Sequence, residues 1–256
     1  MKTSTPTSGA TQAPTGGAAP LPRHPPFWDC VAAIRQPALY KNFAVHIFVM
    51  FPAAMLMCWI AAQIDAAQDI QPLWDPTLRL LVGLLCIGVG GAWVWYVYGF
   101  LFLAGGGSPG THVDGGPTTM VDTGPYTAIR HPSVIGKLLG VTGLGVAWGS
   151  FSFLAYFVPV LVVYSLITNR LLQERFCDQR FGARYDRYRA AVPMLVPRPA
   201  GLARWWRGEP ALAQEAPPEA AEAHPPGIWS ELRWYLLGLV LLVTTFGGLW
   251  AALGGR

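Results

Sequence analysis

The sequence predicts an all-α protein of the polytopic membrane type: about five transmembrane helices, two of them forming a helical hairpin, plus an amphipathic helix on the cytoplasmic face. Three observations predict it. Only 12% of the residues are charged while 52% are hydrophobic, against about 25% charged in an ordinary soluble domain. Four stretches carry no formal charge and are long enough to cross a bilayer. The positive residues are distributed very unevenly among the loops between them. The same composition excludes a chain that is disordered throughout. The four cysteines, Cys30, Cys58, Cys86 and Cys177, form no CxxC pair, so no zinc ribbon, disulfide framework or other metal site is expected.

Residues 1–26 come first. They are rich in Pro, Thr, Gly and Ala and lack the apolar core of a signal peptide, so a disordered tail is expected. Two charge-free runs, Phe43–Ile64 and Leu80–Ala104, supply the first two crossings within residues 27–104. The third run, Leu138–Thr168, would be about 46 Å long as one helix, too long without steep tilt. Gly149-Ser150 offers a turn inside it, and a start at His131 then gives two helices of ordinary length.

Charge decides for the hairpin. Arg130 precedes the run, and Arg170, Arg175, Arg180, Arg184, Arg187 and Arg189 follow it. One helix would put these groups on opposite faces. Two helices put both on the cytoplasmic side. Counting back places the N-terminus inside and the acidic loop Asp65–Asp75 outside; the last run, Trp234–Leu253, then leaves the C-terminus outside. The expected location is the cell's inner membrane. The expected organisation is a core over 105–200, an Ala/Pro/Glu linker over 201–228, and a C-terminal helix over 229–256.

Chemistry concentrates in the core. Gly105–Pro132 is a long Gly/Pro-punctuated stretch, the kind of loop that is usually functional or disordered. It lacks the strand context and spacing of a Rossmann or Walker loop. Asp114 and Asp122 read as turn residues. Thr123–Gly136 is TGPYTAIRHPSVIG. Arg130 and His131 stand immediately before Pro132, which suits a first helical position, so they flank an anion-attracting helix start. Lys137 either snorkels to the interface or faces a polar gap between helices. Beyond the hairpin, residues 169–198 mix Leu171, Leu172, Phe176 and Phe181 with dense charge, as in a helix on the membrane surface. Taken alone, Arg170 and Glu174 there form an exposed pair worth a few tenths of a kcal/mol. Tyr185 and Tyr188 share a face.

The order GPY…RHP…G, hairpin, ER…FG..Y..Y, VP…P is more specific than its parts. It resembles the integral-membrane family of isoprenylcysteine carboxyl methyltransferases and phospholipid N-methyltransferases, over roughly Gly105–Pro197. The resemblance implies a cytoplasm-facing site for S-adenosyl-L-methionine. Its candidate residues are Tyr126, Arg130, His131, Gly136, Glu174, Tyr185 and Tyr188, with Arg130 and Glu174 central to catalysis. In it Glu174 would take the cofactor's ammonium or ribose, Arg130 its carboxylate, His131 the adenine or ribose, and Tyr126 the base. The implied acceptor is a lipid amine, an isoprenylated carboxylate or a similar amphiphile; the partners are membrane lipids and no nucleic acid. Two positions depart from the pattern. Val134 stands where the family has tyrosine, and Gln173 replaces the first of two glutamates. They leave open a non-catalytic membrane protein that kept the fold. An NADPH-dependent membrane reductase is the other alternative, without the extra basic residues a 2′-phosphate would need.

Overall fold

The computed structural model describes residues 24–37, 39–40, 48, 51–106 and 117–212, with single positions between 233 and 252. Every regular element among the described residues is helical. Two helices, Pro76–Ala104 and Phe153–Phe181, are long and apolar enough to cross a membrane; two shorter apolar helices are Phe51–Ala67 and Pro132–Trp148. The tail over 1–23, most of the linker over 213–228, the glycine-loop residues 107–116 and nearly all of Trp234–Leu253 lie outside the described residues.

Helix α1 (Phe27–Ala32) follows Pro25-Pro26 and ends in a tight turn over Ala33–Arg35. Helix α2 spans Phe51–Ala67. Helix α3 (Pro76–Ala104) begins on a built cap: Asp75 Oδ1 accepts from the backbone N–H of Thr77 at 2.8 Å and of Leu78 at 3.3 Å, with Pro76 in the first turn. At about 43 Å it outruns its neighbour α4 (Pro132–Trp148), about 25 Å long. The two pack through backbone. A Cβ on Gly90 would lie 2.5 Å from the Gly136 carbonyl oxygen, and one on Gly83 2.6 Å from that of Gly143. The last turns of α3 project past α4 and receive α1, with the Cys30 carbonyl oxygen against Gly99 and Phe27 stacked on Tyr96.

The turn expected at Gly149-Ser150 is present. Gly149 ends α4 at φ 78°, the left-handed conformation that glycine accepts at least cost. Helix α5 (Phe153–Phe181) then runs back along α4. Asp65 of α2 reaches across to tie the turn: it accepts from Ser150 Oγ at 2.6 Å and from Ser152 N at 3.0 Å. Ala54, Met57, Ala61 and Ile64 of α2 pack with Leu144, Phe153 and Phe157 into the core at this end. Asp65, Arg79 and the hairpin turn therefore share one end of the bundle, and Arg130 and Glu174 meet at the other.

Two segments of α5 are wider than an ordinary α-helix, Phe153–Phe157 and Asn169–Gln173. Pro159, which gives residue 155 no N–H partner, accounts for the first. The second leads directly into Glu174. The expected single amphipathic helix beyond the hairpin is divided. Its first part is the end of α5, Gly182 breaks the chain at φ 52°, and α6 (Ala183–Ala191) follows. The stretch expected to be linker from residue 201 opens in a helix, α7 (Pro199–Arg207), with proline in the first turn and Gly208 as its left-handed stop.

Candidate active site

The segment between α3 and α4 is folded back on itself so that nearly every residue from Met120 to Pro132 is buried. Gly124–Thr127 forms a tight helical turn, and Gly124 adopts φ 57° against the Phe100 ring, where a Cβ would lie 2.3 Å from Cζ. Thr127 Oγ1 closes the turn by donating to the Gly124 carbonyl at 2.8 Å. The next residues run extended beside the segment after α6: Arg130 N donates to Pro193 O at 2.9 Å and His131 N to Met194 O at 3.3 Å. The sequence VP after the tyrosine pair thus fixes the backbone of the RHP stretch. Trp93 Nε1 donates to Pro132 O at 2.7 Å and secures the start of α4 on α3.

Those contacts aim Arg130 and His131 at Glu174, 44 residues on. Glu174 is 1% exposed. Its Oε1 accepts from Arg130 Nη1 and faces His131 Nε2 at 3.5 Å; its Oε2 accepts from Arg170 Nη1. The carboxyl lies past the charge-free part of α5, which ends at Thr168. Burial alone would raise its pKa. The hydrogen bonds from His131 and Arg170 and the charge of Arg130 outweigh burial and lower it to about 2. Two guanidiniums face one carboxylate, so the cluster keeps positive charge. The Arg130 side chain is 11% exposed and that of Arg170 is 55% exposed, so the excess opens outward at Arg170.

The tyrosines complete the network. The Tyr185 ring lies 5.8 Å from that of Tyr188 and its phenol feels the charges of Glu174 and Arg130, and Tyr188 Oη donates to the Tyr126 carbonyl at 2.7 Å. Burial first, and neighbouring acidic groups second, push the phenols of Tyr126, Tyr185 and Tyr188 up, so all three keep their protons at neutral pH. Six of the seven residues singled out in the sequence are thereby brought into one connected set. Gly136 is not in it: it lies in the α3–α4 contact, against Gly90, Trp93 and Val94. Val134 is buried near the same contact. Lys137 sits on the helix surface with its ammonium 5.5 Å from the centroid of the Tyr98 ring. Asp122 lies beside Arg184 at 3.4 Å, and its carbonyl accepts from Ala211 N at 2.7 Å, a linking role rather than a ligating one. Among the described residues no group of His, Cys, Asp and Glu could hold a metal ion.

Two contributors escaped the sequence reading. Arg170 reads locally as half of a surface pair, and only the burial of Glu174 makes it part of the site. Helix α7 was hidden by its Ala/Pro-rich continuation. It packs against the GPY turn so closely that a Cβ on Gly201 would lie 2.7 Å from Thr127 O, and the Gly201 carbonyl accepts from Thr127 Oγ1 at 3.2 Å. Leu202 and Trp206 at i, i+4, Pro199 at the start and Gly208 at the end were the available signal.

The residues present fit one end of the cofactor that the sequence resemblance implies. Arg130 Nε is buried and has no hydrogen-bond partner, a donor suited to a carboxylate. Both oxygens of Glu174 are bonded to this chain's own cations, Arg130 and Arg170.

Residues 78–184 match the family model described as phospholipid methyltransferase. No curated protein and no solved structure matches the chain. The matched stretch runs from the first turn of α3 through the whole hairpin to the start of α6. It contains Tyr126, Arg130, His131 and Glu174, and it stops just before Tyr185. Over residues 78–184, less than half of the chain, the protein is therefore similar to the phospholipid methyltransferase family.

Proposed function

We propose that the chain transfers a methyl group from S-adenosylmethionine to an amphiphilic acceptor held in the bilayer. The observation that carries this reading is the meeting of the RHP and ER stretches in one buried, net-positive cluster. The proposed placement is a multi-pass protein of about five crossings, with the cluster at the cytoplasmic ends of its helices.

When bound, the cofactor supplies an electrophilic methyl group on a sulfonium. This chain's residues bind and orient. Arg130 takes a carboxylate through its fork and its inward Nε. Glu174 holds Arg130 and Arg170 in place and so positions them. Arg170, half exposed where α5 leaves its apolar stretch, receives an anionic group of the acceptor's head, such as a phosphodiester or carboxylate. The three phenols and the folded-back 120–132 segment exclude water. The tyrosines are too weakly acidic to serve as bases, so the nucleophile is one that needs no base at neutral pH: an amine already neutral, or a carboxylate. Alignment of nucleophile and methyl group then does most of the catalytic work.

Radiolabelled cofactor incubated with membranes containing the protein tests the reading. Label is expected in the organic-extractable fraction, reduced by both Arg130→Ala and Glu174→Ala. Label found only on soluble metabolites or soluble protein would overturn the lipid-acceptor assignment.

A further inference from the structure

Helix α7 carries a side chain that none of the described residues covers. Trp206 is 93% exposed, and Leu202, one turn earlier on the same flank, is exposed as well. The adjoining flank is fully used: Gly201 lies against Thr127 and Ala128, and the Trp205 ring meets the Trp93 ring at 5.6 Å. The helix is therefore fixed to the bundle on one side and apolar on the next.

Its level along the bundle is also fixed. Trp93, its partner, is hydrogen-bonded to Pro132, the first residue of apolar α4. Along α3, Pro76 to Trp93 spans about 26 Å, close to the hydrocarbon thickness of a bilayer, about 30 Å. With the Asp75 cap at one boundary, Trp93 and α7 stand at the other. Exposed Arg198 precedes the helix, and Arg207, half exposed and paired with Glu209, ends it. An indole beside guanidiniums at that depth matches the chemistry of the headgroup layer: an apolar ring for the acyl boundary and forks for phosphates.

We propose that α7 is an interfacial docking helix whose Leu202–Trp206 flank lies in the phospholipid headgroup layer. Its adjoining flank then rests on the turn that leads into Arg130 and His131, so the bilayer surface and the ion cluster are joined by one short helix. The proposal rests on α3 and α4 spanning the membrane, and its test separates the two.

Nitroxide labels are placed singly at positions 84, 190 and 206 of the full chain, with the four native cysteines replaced by alanine, in phosphatidylcholine vesicles. Leu84 is exposed on α3 and reports lipid; Ala190 is exposed on polar α6 and reports water. The label at 206 is expected to collide with oxygen more than with a water-soluble nickel complex, like 84 and unlike 190. A label at 206 as open to nickel as 190, with 84 still lipid-exposed, overturns the docking alone. Shielding of 206 from both quenchers means a protein partner or second copy covers it, and overturns the proposal too. A water-exposed 84 overturns the membrane placement and with it the docking. Should the cysteine-free chain not fold, bromolipid quenching of the native protein against Trp206→Phe decides: quenching lost on substitution supports docking, and unchanged quenching overturns it.

Discussion

At the residue scale, the chemistry turns on Glu174, because three cationic or hydrogen-bonding partners from two distant stretches share its two oxygens. Truncation to alanine leaves the largely buried Arg130 guanidinium without its acceptor. That should cost roughly 1.5–3 kcal/mol of ligand binding, about tenfold or more in affinity. Asp178→Ala is the comparison. Its partner Arg189 is partly exposed, and a pair in that setting is worth about 0–1 kcal/mol. Titration of both variants with S-adenosylhomocysteine, alongside thermal unfolding in micelles, separates them; equal curves would remove Glu174 from the ligand site. The same carboxyl predicts an acid response. Its folded pKa is depressed to about 2 from an ordinary 4.5, so its contribution to stability is complete above 4.5 and is lost as pH falls towards 2. Glu174→Gln should flatten that part of the pH–stability curve. The sequence shows Arg130, His131 and Glu174 as motif members, but not that Glu174 is buried. Arg170 illustrates why: i, i+4 spacing gives the pairing, while the dielectric around it comes from α4, the 120–132 segment and α6, none of them local in sequence.

At the element scale, the apolar helices Phe51–Ala67 and Pro76–Ala104 and the two hairpin halves were legible in the charge-free runs, because crossing a bilayer imposes length and apolarity directly on a sequence. Pairing was not. Glycines at 83, 90, 136 and 143 are visible in the chain, but only the fold shows that they face one another across two helices. That geometry predicts that Gly90→Ala, with its Cβ 2.5 Å from a backbone oxygen, forces α3 and α4 apart. A cost of about 1–3 kcal/mol follows, readable as a lower unfolding temperature in micelles. Gly88→Ala, two residues earlier on the far side of the same helix, meets open space and should be neutral or slightly stabilising. Asp65 makes the complementary case with polar groups. Removing its carboxylate leaves Ser150 Oγ and Ser152 N without an acceptor in a buried corner. Asp65→Ala should therefore destabilise by about 1–3 kcal/mol, and Asp65→Asn, which retains one acceptor, by less.

At the scale of the whole molecule, the bundle has two chemically different ends, and the proposed function requires them to lie on opposite sides of a membrane. One end gathers Asp65, Arg79 and the Gly149-Ser150 turn, tied together by Asp65. The other gathers Arg130, Glu174, Arg170 and the arginines of α6. Helix α4 joins the two ends over about 25 Å, a little less than the roughly 30 Å hydrocarbon thickness of a bilayer. In the proposed placement the excess of arginine puts the second end on the cytoplasmic side, by the preference of positive loops for the cytoplasm. The prediction is therefore directional. Ser150 is buried against Asp65, so the outer reporter is exposed Phe151→Cys. In cells, a membrane-impermeant maleimide added from outside should label a cysteine at position 151 and spare one at 183, the exposed first residue of α6; permeabilisation should open 183. Equal labelling at 151 and 183 before permeabilisation would place both ends on one side. The helices would then not cross between them, and an acceptor drawn from the bilayer would have no path to Arg170.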